Sequence, residues 1–115
     1  MNTTQLLNKT PKRIQRKRSK GWRIPENTVY VGRGSKYGNQ FKIGADGDAK
    51  QCIAKYMEYR FPYTHHGEHN SMQDFMLSEA NLREAISDLR GKNLACWCKI
   101  GDPCHADSLL EIVNA

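Results

Sequence analysis

The run NLACWC, Asn93 to Cys98, constrains the fold more than any other stretch of the chain. It is apolar through most of its length, as a central strand buried on both faces should be. One other run is as firm: TVYVG, Thr28 to Gly32, dense in β-branched and aromatic residues. Helical patterns lie between the two. Asp48 opens a helix in which Cys52, Ile53, Tyr56 and Met57 share a face, and Pro62 ends it near Arg60 by disfavouring helical geometry at Phe61. Ser71 to Leu77 reads as a short helix. Ser78 then reads as the N-cap of Glu79 to Leu89, where Leu82, Ile86 and Leu89 align before a stop at Gly91. After the second strand, Asp102 as N-cap and Pro103 in the first turn open a last helix, DPCHADSLLEIV. Strands separated by so much helix pair in parallel through a right-handed crossover. The expectation is therefore α/β: a small two-layer or three-layer fold with a short, mainly parallel sheet of two or three strands and three to four helices.

Charge divides the chain in two. Residues 1–25 carry eight of the 18 Lys and Arg residues and no acid, although the whole has a net charge of only +6. Residues 1–25 are thus a basic N-terminal segment, with 1–10 unstructured and RIQRKR as a short edge strand, since edges use Lys and Arg to block unwanted pairing. Residues 26–115 form a single α/β domain. Arg13, Arg16, Lys17, Arg18, Lys20 and Arg23 suit phosphate contact, and Trp22 offers a surface for stacking a base. The competing reading is a solvated tail that keeps the protein soluble. No run approaches the roughly 18 apolar residues of a membrane span, and no signal-peptide core is present, so a cytoplasmic protein without a membrane partner is expected. There, four cysteines read as thiols, ligands or core filler rather than disulfides.

In open α/β sheets, ligands bind beyond the carboxyl ends of the strands, which places the loops after Gly32 and after Cys98 at one mouth. GRGSKYGNQF offers Ser35 and Asn39 for hydrogen bonds, Arg33 and Lys36 for anions, and Gly38 for close backbone approach. It is neither a P-loop nor a dinucleotide fingerprint. The second loop carries C-x-C-x5-C-H. Strand alternation puts Cys96 and Cys98 on one face with Trp97 opposite, which assigns them to the sheet and Cys104 with His105 to the mouth. Three readings compete. Cys96, Cys98, Cys104 and His105 could hold zinc, although adjacent Cys104 and His105 must diverge to do so. Cys104, at a helix N-terminus that favours thiolate, could be reactive with His105 beside it. Or the cysteines only fill space. No cofactor other than zinc is suggested. HHGEH, with His65, His66 and His69, reads as exposed loop rather than a ligand set, and Cys52 as core.

RIQRKRSKGWRIPENTVYVGRGSKYGNQF, together with LRGKNLACWCKIGDPCHADSLLEI, resembles the bacterial and phage family known as domain of unknown function DUF4326. Family members read VGRPSKWGNPF in the first block and LACWC followed by CHADVL or CHGDVL in the second. The likeness runs from Lys12 to Ile112, with Gly34 for the family Pro, Tyr37 for Trp and Gln40 for Pro. The second block also resembles another uncharacterised family in which Cys-His-Arg opens a helix. Neither likeness supplies an activity. They imply that the recurring parts are matched here by Arg33, Gly38, Asn39, Cys98, Cys104 and His105.

The leading expectation is a small cytosolic protein that acts on or binds a nucleotide or nucleic acid. Arg33, Ser35, Lys36 and Asn39 would hold phosphate or sugar, and Cys104 with His105 would approach the reacting group. The alternative is a non-enzymatic module, phage-encoded or not, that binds nucleic acid or a host protein through the basic segment, with structural or zinc-bound cysteines. Whether the protein is an enzyme, and in what oligomeric state, is open at this point.

Overall fold

The computed structural model describes residues 10–62 and 71–115. Its elements run β1 (Arg13–Gln15), β2 (Thr28–Tyr30), α1 (Ala49–Arg60), α2 (Met72–Leu89), β3 (Asn93–Cys96) and α3 (His105–Val113). The three strands form a parallel sheet in the order β1-β3-β2. Ile14 and Val29 lie beside Ala95 and Leu94 of the central strand. Leu94, Ala95 and Cys96 are all buried, as an apolar run between two neighbours must be. RIQRKR does supply an edge strand, three residues long. The fold is α/β with a fully parallel sheet, as the two firm strand signals require.

The strand NLACWC is shorter than its apolar run. Its ladder stops at Cys96, and Trp97 and Cys98 turn away from it. Alternation therefore does not govern Cys98, and the expected split between sheet cysteines and mouth cysteines does not hold.

Two helix starts also differ from the sequence reading. α2 is one continuous helix capped by Ser71, whose Oγ accepts from the Asp74 N–H at 3.0 Å. Ser78 is a buried residue inside it, not a cap. No glycine or proline lies between Ser71 and Ser78, so nothing stops the helix there, and burial offsets the weak helical preference of one serine. α3 begins at His105 with Cys104 as N-cap, two residues after Asp102. Asp102 is instead spent closing a turn, its N–H on the Lys99 carbonyl at 3.0 Å, with Gly101 at φ 100°. Only glycine adopts such a φ at no steric cost. α1 starts where expected. Asp48 accepts from the Gln51 N–H, and the Gln51 side chain accepts from the Asp48 N–H, both at 2.8 Å.

α3 is the hub of the packing. It rests on β3 and β1 and touches both other helices. Its Ala106, Leu109 and Val113 are fully buried against a core that includes Val31, Phe61, Leu89 and Leu94. Each of these large side chains contributes about 1.5–3 kcal/mol by leaving water. The start of α3 is thereby held against the ends of the strands.

Candidate functional site

β2 runs into a loop that is folded tightly on itself. A Cβ on Gly38 would sit 2.6 Å from the Gly32 carbonyl oxygen, so only glycine fits there. Ser35 Oγ donates to that same carbonyl at 2.6 Å. Asn39 accepts from the Phe41 N–H at 2.9 Å and donates to the Cys52 carbonyl at 3.2 Å, which ties the loop to α1. Lys36 turns away toward α2, 2.8 Å from Glu84 and 3.1 Å from Asp88. The buried Tyr37 hydroxyl donates to Asp88 at 2.6 Å. That bond, with the Lys36 ammonium, holds the Asp88 carboxyl below its ordinary range, while burial pushes the Tyr37 phenol up. The polar groups of Ser35, Lys36 and Asn39 are thus engaged within the protein. Arg33 is exposed.

β3 ends in the second loop. There the sulfurs of Cys96, Cys98 and Cys104 all lie within 4.8 Å of one another. Cys96 and Cys104 are 3.2 Å apart. Arg13 of β1 reaches beneath them with a side chain only 7% exposed. Its guanidinium is 3.9 Å from the Cys96 sulfur, donates to the carbonyls of Lys99 (3.3 Å) and Asp102 (2.9 Å), and pairs with Asp107 at 3.2 Å. One cation therefore fixes the turn before α3, the start of that helix and the cluster.

The three thiols are not equivalent. Hydrogen bonding from Cys104 favours the Cys96 thiolate, and the Cys98 amide and Arg13 add to it, so Cys96 is shifted down. The same bond, with burial, pushes Cys104 up, and burial pushes Cys98 up. The thiolate expected of Cys104 at the helix start is thus disfavoured, and Cys96 is the thiol shifted toward it.

His105 is buried against the Tyr56 ring at 5.0 Å between centroids. Its Nε2 lies 2.7 Å from the Val31 carbonyl, which can only accept, so Nε2 carries the proton and Nδ1 faces the Cys104 sulfur at 3.8 Å. Burial shifts the imidazole toward its neutral form.

The two loops enclose one pocket of about 600 Å³, lined by all three clustered cysteines, His105, Asn39, Arg33 and Lys42. Phe41, Cys52, Ile53 and Trp97 supply apolar surface. Outside it, Arg16 stacks over the rings of Tyr30 (4.6 Å) and Trp97 (4.7 Å), and Arg18 lies 5.0 Å over Trp97.

Comparison with known proteins gives one finding. The family model of domain of unknown function DUF4326 matches residues 14–115, all but the first 13 residues of the chain. The chain belongs to this family. No curated protein and no solved structure matches it.

In this DUF4326 protein, the structure brings some of the residues singled out from the sequence together and keeps others apart. Arg33, Asn39, Cys96, Cys98, Cys104 and His105 are brought to one pocket. Ser35, Lys36 and Gly38 build the loop without lining it. Arg13 is bound to protein groups rather than presented to phosphate, and Arg16 is packed on aromatic rings. Lys17, Arg18, Lys20 and Arg23 are exposed, with Trp22 half-buried. His65, His66 and His69 lie outside the described residues. Lys42, Phe41 and Ile53 line the pocket as well; Phe41 closes the family's first block and Ile53 shares the apolar face of α1, while nothing but nearness to the Gly-Asn loop marks Lys42 in the sequence. Trp97 belongs to the pocket because the ladder ends one residue before it. No helix among the described residues is long and apolar enough to cross a membrane.

Proposed function

We propose that this DUF4326 protein binds a nucleotide, free or within a single strand of nucleic acid, at the mouth formed by the two loops. The observation that carries this is a pocket of about 600 Å³ with apolar and aromatic lining and two exposed cations, Arg33 and Lys42. A base suits the apolar side, including Trp97, and a phosphate suits the cations. Arg16 and Arg18 over Trp97 extend positive charge from the pocket toward the basic segment, a path for a longer strand. The cysteine cluster could hold a metal. Zinc is the ion we favour, since thiolates suit it and it needs no redox partner. Four free thiols are consistent with a reducing, cytoplasmic setting.

A protein partner has one observation in its favour, the exposed Met72, Met76 and Leu77 at the start of α2. The nucleotide reading rests on a built pocket and is preferred.

Fluorescence anisotropy of a labelled single-stranded oligonucleotide tests it, with AMP as competitor. Binding should weaken with salt. Arg33→Ala with Lys42→Ala should weaken it about tenfold or more, and should reduce the salt slope by roughly 0.7 for each phosphate no longer neutralised. Displacement by AMP indicates a site for one nucleotide, and resistance to AMP indicates a strand-binding groove. If neither probe binds at low salt, the reading is wrong.

A further inference from the structure

Resting on the zinc reading above, we infer that Cys96, Cys98 and Cys104 hold the ion through three sulfurs only, and that its fourth position opens into the pocket for a donor atom of the bound ligand.

The geometry suits the ion. Tetrahedral zinc with Zn–S bonds of about 2.3 Å sets sulfurs about 3.8 Å apart. Cys96 and Cys104, 3.2 Å apart, are somewhat closer than that, and no pair of the three exceeds 4.8 Å. Small side-chain rotations bring all three into range. The frame beneath them is fixed, because Cys96 ends a central strand, Cys104 caps α3, and Arg13 clamps the carbonyls of Lys99 and Asp102 between them.

A counter-charge is close by as well. Three thiolates around a divalent cation leave one net negative charge at a largely buried place, which is costly without a counter-charge. The Arg13 guanidinium, 3.9 Å from the Cys96 sulfur and nearly buried, supplies one.

The fourth ligand does not come from nearby described residues. His105 Nδ1 is 3.8 Å from the Cys104 sulfur but is outside the group of mutually close donor atoms. The Val31 carbonyl on Nε2 and the Tyr56 ring fix the imidazole where it does not come within 4.8 Å of all three sulfurs. The Cys52 thiol is 3.8 Å from the Gly47 carbonyl. Asp107 pairs with Arg13. All three clustered cysteines line the pocket that also holds Arg33 and Lys42, so the open side of the ion faces that pocket. Zinc sites that keep an open position bind or activate ligands, whereas closed four-ligand sites only support a fold. An occupant would pair a nitrogen or oxygen donor with an anionic group, as a nucleobase and its phosphate do.

The test uses the full chain, purified under reducing conditions and loaded with cobalt(II) in place of zinc. One cobalt per chain is expected, with sulfur-to-cobalt charge-transfer absorption and the visible bands of a tetrahedral site. Added imidazole, a small nitrogen donor, should shift the visible bands saturably while the charge-transfer absorption persists. Cobalt uptake with bands that imidazole does not move overturns the open position and leaves the zinc reading standing. Failure of the wild-type chain to take up cobalt or zinc overturns both, while leaving oligonucleotide binding to be judged separately. Cys98→Ser should lower cobalt affinity by roughly two orders of magnitude and Cys52→Ser should not. An equal drop in both contradicts the assignment of ligands.

Discussion

His105 donates from Nε2 to the Val31 carbonyl and so joins the start of α3 to the end of β2. Beside a cysteine at a helix start it has the look of a catalytic base, but its bond and burial give it a positioning role. His105→Ala should cost about 2–3 kcal/mol in urea unfolding, from the missing bond and a buried carbonyl left unpaired. Tyr37 is a second such residue. Its hydroxyl bond to Asp88 should be worth about 1 kcal/mol, reduced from a buried charged pair because Asp88 keeps 41% of its side chain exposed. Asp88 titrates below its ordinary range when folded, so that contribution is fully present above the unfolded pKa near 4 and fades as pH falls through the lower folded value. Thermal melts of Tyr37→Phe should therefore differ from wild type at pH 7 and converge as the pH falls through the lowered folded value of Asp88. At this scale the sequence is legible where chemistry is local: the Asp48–Gln51 cap can be read directly. Arg13 cannot, because its partners lie more than 80 residues away and a basic run reads the same whether it faces phosphate or carbonyls.

β3 shows why element boundaries matter to chemistry. An apolar run of six residues supports only a four-residue ladder, and the two left over carry Trp97 and Cys98 into the pocket. Periodicity cannot locate that end, since it depends on where β1 and β2 stop offering partners. The start of α3 departs from its sequence signal for a related reason: Asp102 is a good cap by type, but the turn around Gly101 uses it first. The loop after β2 is more legible. Its glycines do allow close approach, although Gly38 makes it against Gly32 rather than against a phosphate. Gly38→Ala should cost about 2–3 kcal/mol, because the clash is with backbone that cannot move aside. Gly44→Ala meets nothing within 4 Å and should cost only about 1 kcal/mol, from its φ of 96°. Paired chemical denaturation of the two variants separates crowding from backbone strain, and equal destabilisation would show that the loop is not closed on itself.

Taken whole, the molecule is a parallel sheet whose strand ends and helix start converge on one pocket. That convergence follows from topology, and topology follows from two strand signals some sixty residues apart, which is why the mouth is legible before its detailed residues are. Which side chains face it is not legible, since Ser35, Lys36, Asn39 and Arg13 can be sorted into ligand groups and internal bonds only in three dimensions. Amide and indole NMR shifts during titration with a short single-stranded oligonucleotide, and with AMP where it competes, would read the site directly. Nucleotide binding at the mouth predicts the largest, saturable shifts at Arg33, Lys42, Cys98 and the Trp97 indole N–H, with little change at Lys17, Lys20 and Arg23. Shifts confined to residues 16–23, or none at all, would contradict it.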